Sequence, residues 1–293
     1  MSMSDHTLPP LALMDALWNA DTIFRPNLFE NRVVLISGGG SGIGRATALL
    51  FARLGARVVI CGRTREKLDA VVSFAKSRGR RMLAEATNIR YPDQISALFA
   101  HIEAQFGAVD ILINNAGGQF AQSAIEFSQK GWDAVIDNNL NGTWYMMQHA
   151  ARRWRDLDHG GTIINVIAPI ERGMPGVAHT VAARAGVVGL MNTVAVEWAP
   201  LKIRINCLCP GLTATEGLDV YPPEAVAEFP RANPMRRPAT VTEIAEACVF
   251  LAAPSSTFIT GEVLNVDGGY RLWGELWTAG RPDYFRFQHD AER

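Results

Sequence analysis

Cysteines and net charge are scarce in this sequence, and each scarcity excludes a class of protein. The 293 residues include four cysteines, Cys61, Cys207, Cys209 and Cys248, and their surroundings are not those of zinc ligands. We therefore expect buried free thiols in a reducing compartment. The formal net charge of −1 gives no reason to expect a nucleic acid or an anionic membrane surface as a partner.

Long apolar runs and targeting signals are also absent from the sequence. No run of about 18 apolar residues occurs, so no segment is expected to span a bilayer. The first 29 residues lack the basic and apolar regions of a secretory signal, and they lack an Arg/Ser-rich transit pattern. The last four residues match no known address. A cytoplasmic protein is the resulting expectation.

What the sequence does contain, from Arg32 onward, is an alternation of two patterns. Short β-branched runs, such as 33–36 and 58–60, are typical of buried parallel strands. Longer stretches with helical spacing of apolar residues, such as 43–54 and 91–106, predict helices. Further strands are expected at 82–87, 110–113, 162–167, 203–207 and 263–266, and further helices at 65–78, 130–154, 181–199 and 241–252. The pattern predicts an α/β fold of Rossmann type, a doubly wound parallel sheet of about seven strands with helices on both faces.

Three segments fall outside this alternation. Residues 1–29 are expected to form a surface arm that precedes a main domain at 30–270. Within that domain, 212–240 contains five prolines and no clear periodicity, which predicts a mobile substrate lid. The C-terminal tail, 271–293, contains five aromatic residues, Trp273, Trp277, Tyr284, Phe285 and Phe287. So many aromatic side chains predict packing on the domain or across a subunit interface.

A glycine-rich loop follows the first strand and opens a helix. Glycines let the backbone approach a diphosphate closely, and the helix start offers free N–H groups and the positive end of the helix dipole. This context favours a dinucleotide site over a merely structural turn. The loop residues expected to bind the dinucleotide are Ser37, Gly38, Ser41, Gly42, Ile43 and Gly44.

The residue after the second strand distinguishes the two nicotinamide dinucleotides. NAD sites usually place a carboxylate there to bond the ribose hydroxyls, and this chain has Arg63 after Gly62. An arginine can pair with a 2′-phosphate, so the sequence favours NADP(H) as the cofactor. A solvated surface arginine is the alternative.

With the glycine loop, the segments 114–117 (Asn-Asn-Ala-Gly) and 210–211 (Pro-Gly) resemble the short-chain dehydrogenase/reductase family, over about residues 30–270. The resemblance implies that Asn115, Ala116 and Gly117 border the adenosine side. The other cofactor contacts that it implies are Asn88 and Ile89 beside the adenine, Pro210, Gly211 and Thr213 near the carboxamide, and Thr215 at a phosphate.

The family's catalytic positions are the part that this chain changes. The segment 184–187 resembles the family's Lys-Ala-Gly-Val helix, which puts Arg184 at the lysine position and Thr180 at the tyrosine position. The serine is missing from 166–168, and only Asn139 keeps the usual identity. A threonine hydroxyl is far too weak an acid to replace a phenol of pKa about 10. An arginine can hold ribose hydroxyls but cannot act as a proton reservoir.

Four segments resemble the branch of peroxisomal trans-2-enoyl-CoA and 2,4-dienoyl-CoA reductases: 117–120, 130–132, 180–187 and 195–198. The resemblance implies that Gln119 reaches a thioester carbonyl and that Arg90 contacts CoA. It also implies that Phe120 and Ser128 lie on the substrate side. The dienoyl reductases use a separate tyrosine, whose place here falls near 169–170, so their mechanism does not transfer whole.

The function that this resemblance implies is NADPH-dependent reduction of the C=C bond of an enoyl or dienoyl acyl-CoA. Hydride adds to the β-carbon, and the enolate oxygen needs donors more than a strong acid. Gln119 and Thr180 are the expected donors, Arg184 adds a favourable field, and the α-carbon proton comes from water or His179. Structural roles for Gln119 and Asn139 stay open as alternatives.

Two other functions stay open at this point. An NAD(P)-dependent dehydrogenase of an alcohol or aldehyde, of terpenoid type for example, would use His179 as its base. A non-catalytic NADP-binding protein is also compatible with the missing proton-transfer pair. The helices at 130–154 and 181–199 carry apolar residues on more than one face, and the family commonly pairs these helices, so a homotetramer or a dimer is expected.

Overall fold

The computed structural model describes residues 9–220, 226 and 228–272. One parallel sheet contains β1 (Val33–Ser37), β2 (Arg57–Gly62), β3 (Met82–Ala86), β4 (Ile111–Asn114), β5 (Gly161–Val166), β6 (Ile203–Pro210) and β7 (Val263–Val266). The order across the sheet is β3-β2-β1-β4-β5-β6-β7, and every neighbouring pair is parallel. The predicted doubly wound α/β fold is confirmed.

Helices cover both faces of this sheet. They are α1 (Pro10–Asn19), α2 (Gly42–Arg53), α3 (Arg65–Ser77), α4 (Pro92–Phe106), α5 (Gln129–Ile136), α6 (Gly142–Leu157), α7 (Ala178–Glu197) and α8 (Val241–Ala252). One buried apolar cluster joins the sheet to α1, α2, α3 and α8, and a second joins it to α4, α6 and α7. Strands buried on both faces explain why their sequences are continuous apolar runs rather than alternating ones.

The helix predicted over 130–154 is interrupted. A π-helical turn, Asp137–Asn141, lies between α5 and α6. π-helical turns are rare in proteins, and those that occur are often found at functional sites. This one contains Asn139. The apolar spacing runs through the whole segment, so the sequence pattern could not predict the interruption.

The N-terminal arm contributes to the domain core. Leu13, Met14 and Leu17 of α1 are buried in the cluster that includes α2 and α3, and the rings of Trp18 and Phe74 meet edge to face at 5.9 Å. The apolar stretch that predicted a surface arm is therefore the buried face of a helix. This packing stabilises the outer side of α2.

The lid segment connects β6 to α8, and its two ends are hydrogen-bonded to each other. Thr213 and Ala239 form a parallel bridge, and the Ala239 N–H donates to the Leu212 carbonyl at 2.8 Å. The mobility of the lid stays a prediction. The tail aromatics Trp273, Trp277, Tyr284, Phe285 and Phe287 lie outside the described residues.

The four cysteines are free and buried, as expected. Burial raises the pKa of Cys61, Cys207 and Cys248 to about 12. These thiols are therefore uncharged core residues. Within the described part of the chain, no helix has the length and apolar character needed to cross a membrane.

Candidate active site

A cleft of about 370 Å³ opens at the carboxyl ends of the strands, where the chain connections from β1 and β4 diverge. Ligands of doubly wound sheets bind at this switch point. The predicted cofactor residues that line the cleft are Gly38, Ser41, Gly42, Ile43, Arg63, Asn88, Ile89, Asn115, Ala116, Gly117 and Thr215. The fold thus brings residues from distant parts of the sequence to one surface.

Ser37 and Gly44 shape the cleft from beneath and do not line it. The Ser37 hydroxyl accepts hydrogen bonds from the N–H groups of Asn115 at 3.1 Å and Ala116 at 3.0 Å. A Cβ on Gly44 would lie 2.2 Å from the Gly38 carbonyl oxygen, so only glycine lets α2 approach the loop this closely. These contacts leave the surface of the glycine-rich loop open for a diphosphate.

Pro210, Gly211 and Thr213 lie beyond the lining of this cleft, at the exit of β6. A Cβ on Gly211 would lie 2.6 Å from the Asp267 Cα, and the buried Thr213 hydroxyl donates to the Gly211 carbonyl at 3.0 Å. These residues set the path of the lid. The contact of this turn with a carboxamide stays a prediction.

The adenosine end of the cleft contains a cation that the motif did not predict. Lys67 of α3 lines the cleft together with Arg63 and Thr64. Among the described residues, neither Arg63 nor Lys67 has an acidic partner within ion-pair distance, whereas Arg65 donates to both carboxylate oxygens of Asp69 at 2.9 and 3.0 Å. The sequence alone does not distinguish Lys67 from an ordinary solvated helix lysine, because Arg63 precedes α3 and the two cations meet only in the folded cleft.

Asn139 connects the loop after β4 to α7. Its side-chain amide donates to the Gly118 carbonyl at 2.9 Å, and its Oδ1 accepts from the Gly118 N–H at 3.0 Å. Its backbone carbonyl accepts from the Thr143 hydroxyl at 3.0 Å and from Arg184 Nη1 at 3.2 Å. Because Gly118 uses both ends of the amide, Asn139 positions the loop that precedes Gln119.

Arg184 is a buried cation, 6% exposed, that has no carboxylate partner in the described part of the chain. Nη2 donates to the Ala116 carbonyl at 3.4 Å, and a Cβ on Gly117 would lie 2.3 Å from that nitrogen. Burial lowers the pKa of the guanidinium to about 10. Arg184 therefore stays charged at neutral pH.

His179 and Thr180 are buried at the start of α7. The Thr180 N–H donates to Nδ1 of His179 at 2.8 Å, and the Thr180 hydroxyl lies 3.4 Å from the same nitrogen. A neutral ring that accepts at Nδ1 carries its proton on Nε2, which has no hydrogen-bond partner among the described residues. Burial lowers the pKa of His179, and the carbonyls of Val177 and Phe120 oppose this effect. The lowered pKa of His179 favours the neutral ring, and the Thr180 N–H occupies the lone pair of its Nδ1.

An aromatic wall surrounds His179. Its ring stacks on Phe127 with centroids 4.4 Å apart, and it meets Phe120 edge to face at 4.6 Å. Phe127 also contacts Trp132 at 6.5 Å. This wall, Phe120, Phe127, Trp132 and His179, places the loop that contains Gln119 against the start of α7. Trp132 lies in the segment 130–132 that resembles the reductase branch, but the sequence predicted no role for it, and it did not predict Phe127.

The other substrate-side residues have local partners. Ser128 is the N-cap of α5 and accepts from the Gly131 N–H at 3.1 Å. Arg90 donates from Nε to Asn88 Oδ1 at 3.1 Å, with its guanidinium 5.8 Å from the Tyr91 ring centroid. Gln119 lies in an exposed stretch of the loop. Contact of these residues with a substrate stays a prediction.

Comparisons with known proteins agree with this geometry. The family model described as Enoyl-(Acyl carrier protein) reductase matches residues 38–271. A peroxisomal 2,4-dienoyl-CoA reductase [(3E)-enoyl-CoA-producing] of Pongo abelii is 36% identical over 90% of this chain and 92% of its own length. A 3-oxoacyl-[acyl-carrier-protein] reductase FabG of Thermotoga maritima is 34% identical over 82% of this chain and 98% of its own.

A solved structure is similar over most of the chain. The citronellol catabolism dehydrogenase (AtuB) of Pseudomonas aeruginosa PAO1 superposes with a TM-score of 0.77 at 35% identity, over 86% of this chain and 100% of its own. The chain belongs to the short-chain dehydrogenase/reductase family, whose members are oxidoreductases that use nicotinamide dinucleotides. The predicted resemblance to dienoyl-CoA reductases is confirmed as a similarity.

Proposed function

We propose that the protein is an NADPH-dependent reductase of the C=C bond of an enoyl or dienoyl acyl-CoA thioester. The observation that carries this proposal is Arg184, a buried cation beside Gly117 that no described carboxylate neutralises. Such a cation stabilises negative charge that develops during a reaction, and it does not supply a proton. Reduction of an unsaturated thioester depends on the first property more than on the second.

The chemistry follows from where charge develops. When bound, NADPH would supply a hydride for the β-carbon of an enoyl thioester or the δ-carbon of a dienoyl thioester, and negative charge would develop on the thioester oxygen. Gln119 offers an amide donor on the loop that Asn139 holds, and Arg184 offers its positive field. Because Thr180 is a weak acid and His179 is neutral, we assign the α-carbon proton to water.

The choice of NADPH rests on the charges at the adenosine end. Arg63 and Lys67 both line the cleft, and within the part of the chain that the structure describes neither forms an ion pair with an acidic side chain. A 2′-phosphate would meet two cations there, whereas the 2′-hydroxyl of NADH would meet no carboxylate from the β2 turn. The glycines beneath leave the close backbone approach that a diphosphate needs.

The names of the relatives and the side chains near the loop after β4 support an acyl-CoA as the substrate. The names of the dienoyl-CoA reductase relatives point to this class of thioester. Phe120, on the aromatic wall, is partly exposed and offers an apolar surface to an acyl chain. Arg90 supplies a cation for a CoA phosphate, and Ser128 keeps the α5 end of the loop in place.

A dehydrogenase of an alcohol or aldehyde is the second candidate, and the similarity to the citronellol catabolism dehydrogenase favours it. That reaction needs a base, and His179 is poorly suited to the role because its Nδ1 already accepts from Thr180. A non-catalytic NADP-binding protein is the third. It predicts tight cofactor binding without turnover.

The assembly and the location belong to the same proposal. We expect a cytoplasmic homotetramer, or a dimer, and Val196 near the end of α7 is 78% exposed on the described chain, as an interface residue would be. Light scattering at micromolar concentration tests the assembly, and a monomeric mass contradicts it.

The test of the function is a substrate panel with matched cofactors. NADPH oxidation is followed with crotonyl-CoA to decenoyl-CoA, and NAD(P)⁺ reduction is followed with a panel of alcohols. The proposal expects turnover with the thioesters alone. Turnover with alcohols alone supports the second candidate, and cofactor binding with no turnover on either panel supports the third.

A further inference from the structure

A carboxylate from the chain itself lies at the glycine loop. Glu216, at the start of the lid, accepts from the Gly42 N–H through Oε2 at 3.2 Å and from Arg45 Nη2 through Oε1 at 2.6 Å. Both Gly42 and Glu216 line the cofactor cleft. The glycine motif predicts an anion at this place, but nothing in the sequence predicts that residue 216 brings one.

The position of Glu216 is the positive end of α2. The N-cap residue Ser41 makes no side-chain capping hydrogen bond, so the first-turn N–H groups stay available. Gly42 has a φ of +49°, a conformation that favours glycine. Anions are stabilised at such helix starts, and the same N–H groups serve the diphosphate in dinucleotide sites. Glu216 therefore uses a group that the cofactor's diphosphate requires.

The carboxylate is charged in this setting. Burial alone would raise the pKa of Glu216, but its own backbone N–H, the Arg45 charge and the Gly42 N–H together hold that pKa below its ordinary value. Arg45 is 8% exposed, and its Nε has no hydrogen-bond partner among the described residues. A phosphate at the start of α2 thus meets a charged carboxylate at close range.

We propose that Glu216 competes with the diphosphate of the cofactor for the start of α2 and so weakens dinucleotide binding. When the diphosphate binds, the carboxylate leaves the Gly42 N–H, and the first turn of the lid, Glu216–Val220, moves with it. When the product dinucleotide leaves, Glu216 binds the Gly42 N–H again. The proposal rests on dinucleotide binding by the family and is independent of the choice of NADPH or of an acyl-CoA substrate.

The test is the variant Glu216→Gln, which keeps the size of the side chain and removes its charge. Dissociation constants for NADPH and NADH are measured by titration calorimetry on the full chain. We expect both to bind about tenfold more tightly than to the wild type, with a smaller gain at high salt. Inorganic pyrophosphate is expected to gain as well. Adenosine 2′-phosphate, which has no diphosphate, is expected to bind equally to both proteins.

The matched control is Glu228→Gln. Glu228 is another lid carboxylate, and it pairs with Arg231 rather than with α2. Its variant is expected to bind both dinucleotides as the wild type does. If Glu216→Gln fails to fold, Glu216→Asp serves instead, because the shorter side chain retracts the charge from Gly42 and should also tighten binding.

Unchanged or weaker dinucleotide binding by a folded Glu216 variant overturns the proposal. An equal gain for adenosine 2′-phosphate also overturns it, because the effect would then not depend on the diphosphate. A wild-type preference for NADH contradicts the proposed cofactor alone, since both dinucleotides carry the diphosphate.

Discussion

Arg184 and Asn139 are joined by a hydrogen bond of 3.2 Å from the guanidinium to the backbone carbonyl. The amide of the same Asn139 holds Gly118 from both sides, so the buried cation and the loop that contains Gln119 form one unit. The π-helical turn around Asn139 places that carbonyl and that amide together. A displacement of either residue is expected to move the other.

Replacing Arg184 with Met tests the buried cation. We expect kcat/KM for an enoyl-CoA to fall by about two decades, the size of effect seen when one oxyanion-stabilising group is removed. Thermal stability should change little, because removing a buried charge is favourable whereas the carbonyls of Ala116 and Asn139 lose their donor. Steady-state kinetics and thermal unfolding measure both effects. A variant that keeps the full rate contradicts the proposed role of Arg184.

Replacing Gln119 with Ala tests the amide donor. The rate with an enoyl-CoA should fall by about one to three decades while the dissociation constant for NADPH stays constant, because only the transition-state oxygen loses a donor. Gln122→Ala is the control on the same loop. The Gln122 side chain donates to the Glu126 carbonyl at 3.1 Å, and its removal should leave the rate near that of the wild type. An unchanged rate for Gln119→Ala would contradict the proposed role of Gln119 as a donor to the thioester oxygen.

The adenosine end is tested by three Gln variants. Arg63→Gln and Lys67→Gln should each weaken NADPH binding about tenfold and leave NADH binding unchanged, since only NADPH presents a 2′-phosphate. Arg65→Gln is the matched control, because Asp69 already neutralises Arg65. Calorimetry at low salt measures all three. Equal losses for both dinucleotides would contradict recognition of the 2′-phosphate and would indicate that these cations attract either dinucleotide by charge alone.

His179 predicts an acid-dependent loss of stability. Its pKa is lowered in the folded chain, whereas in the unfolded chain it protonates at about pH 6.5. The unfolded state therefore binds more protons below that pH, and the contribution of His179 is lost as the pH falls. His179→Phe keeps the stack on Phe127 and should flatten the fall in the free energy of unfolding between about pH 7.5 and 5.5. Identical slopes in both proteins contradict the neutral, buried ring.

The sequence predicted those features that depend on local spacing. Buried β-branched runs predict the strands, and the glycine loop predicts the cradle because its conformation is local. The sequence predicted Asn139 as a site residue, but it could not predict the two hydrogen bonds between its side chain and Gly118, because they depend on the fold. The contact between Glu216 and Gly42 could not be predicted because the two residues are 174 positions apart in the sequence. Lys67 could be assigned to the cofactor site only once the fold placed it with Arg63 in the cleft. The burial of α1 was missed because its partners lie in α2 and α3.

The most direct test of the central claim compares two thioesters of equal length. NADPH oxidation by the wild type is measured with trans-2-decenoyl-CoA and with 3-oxodecanoyl-CoA at the same concentrations. The proposed donors Gln119 and Thr180 and the charge of Arg184 predict reduction of the C=C bond and a rate with the ketone lower by about two decades or more, because no phenolic acid is present at the tyrosine position to protonate an alkoxide. A ketone rate equal to or above the enoyl rate would contradict the account.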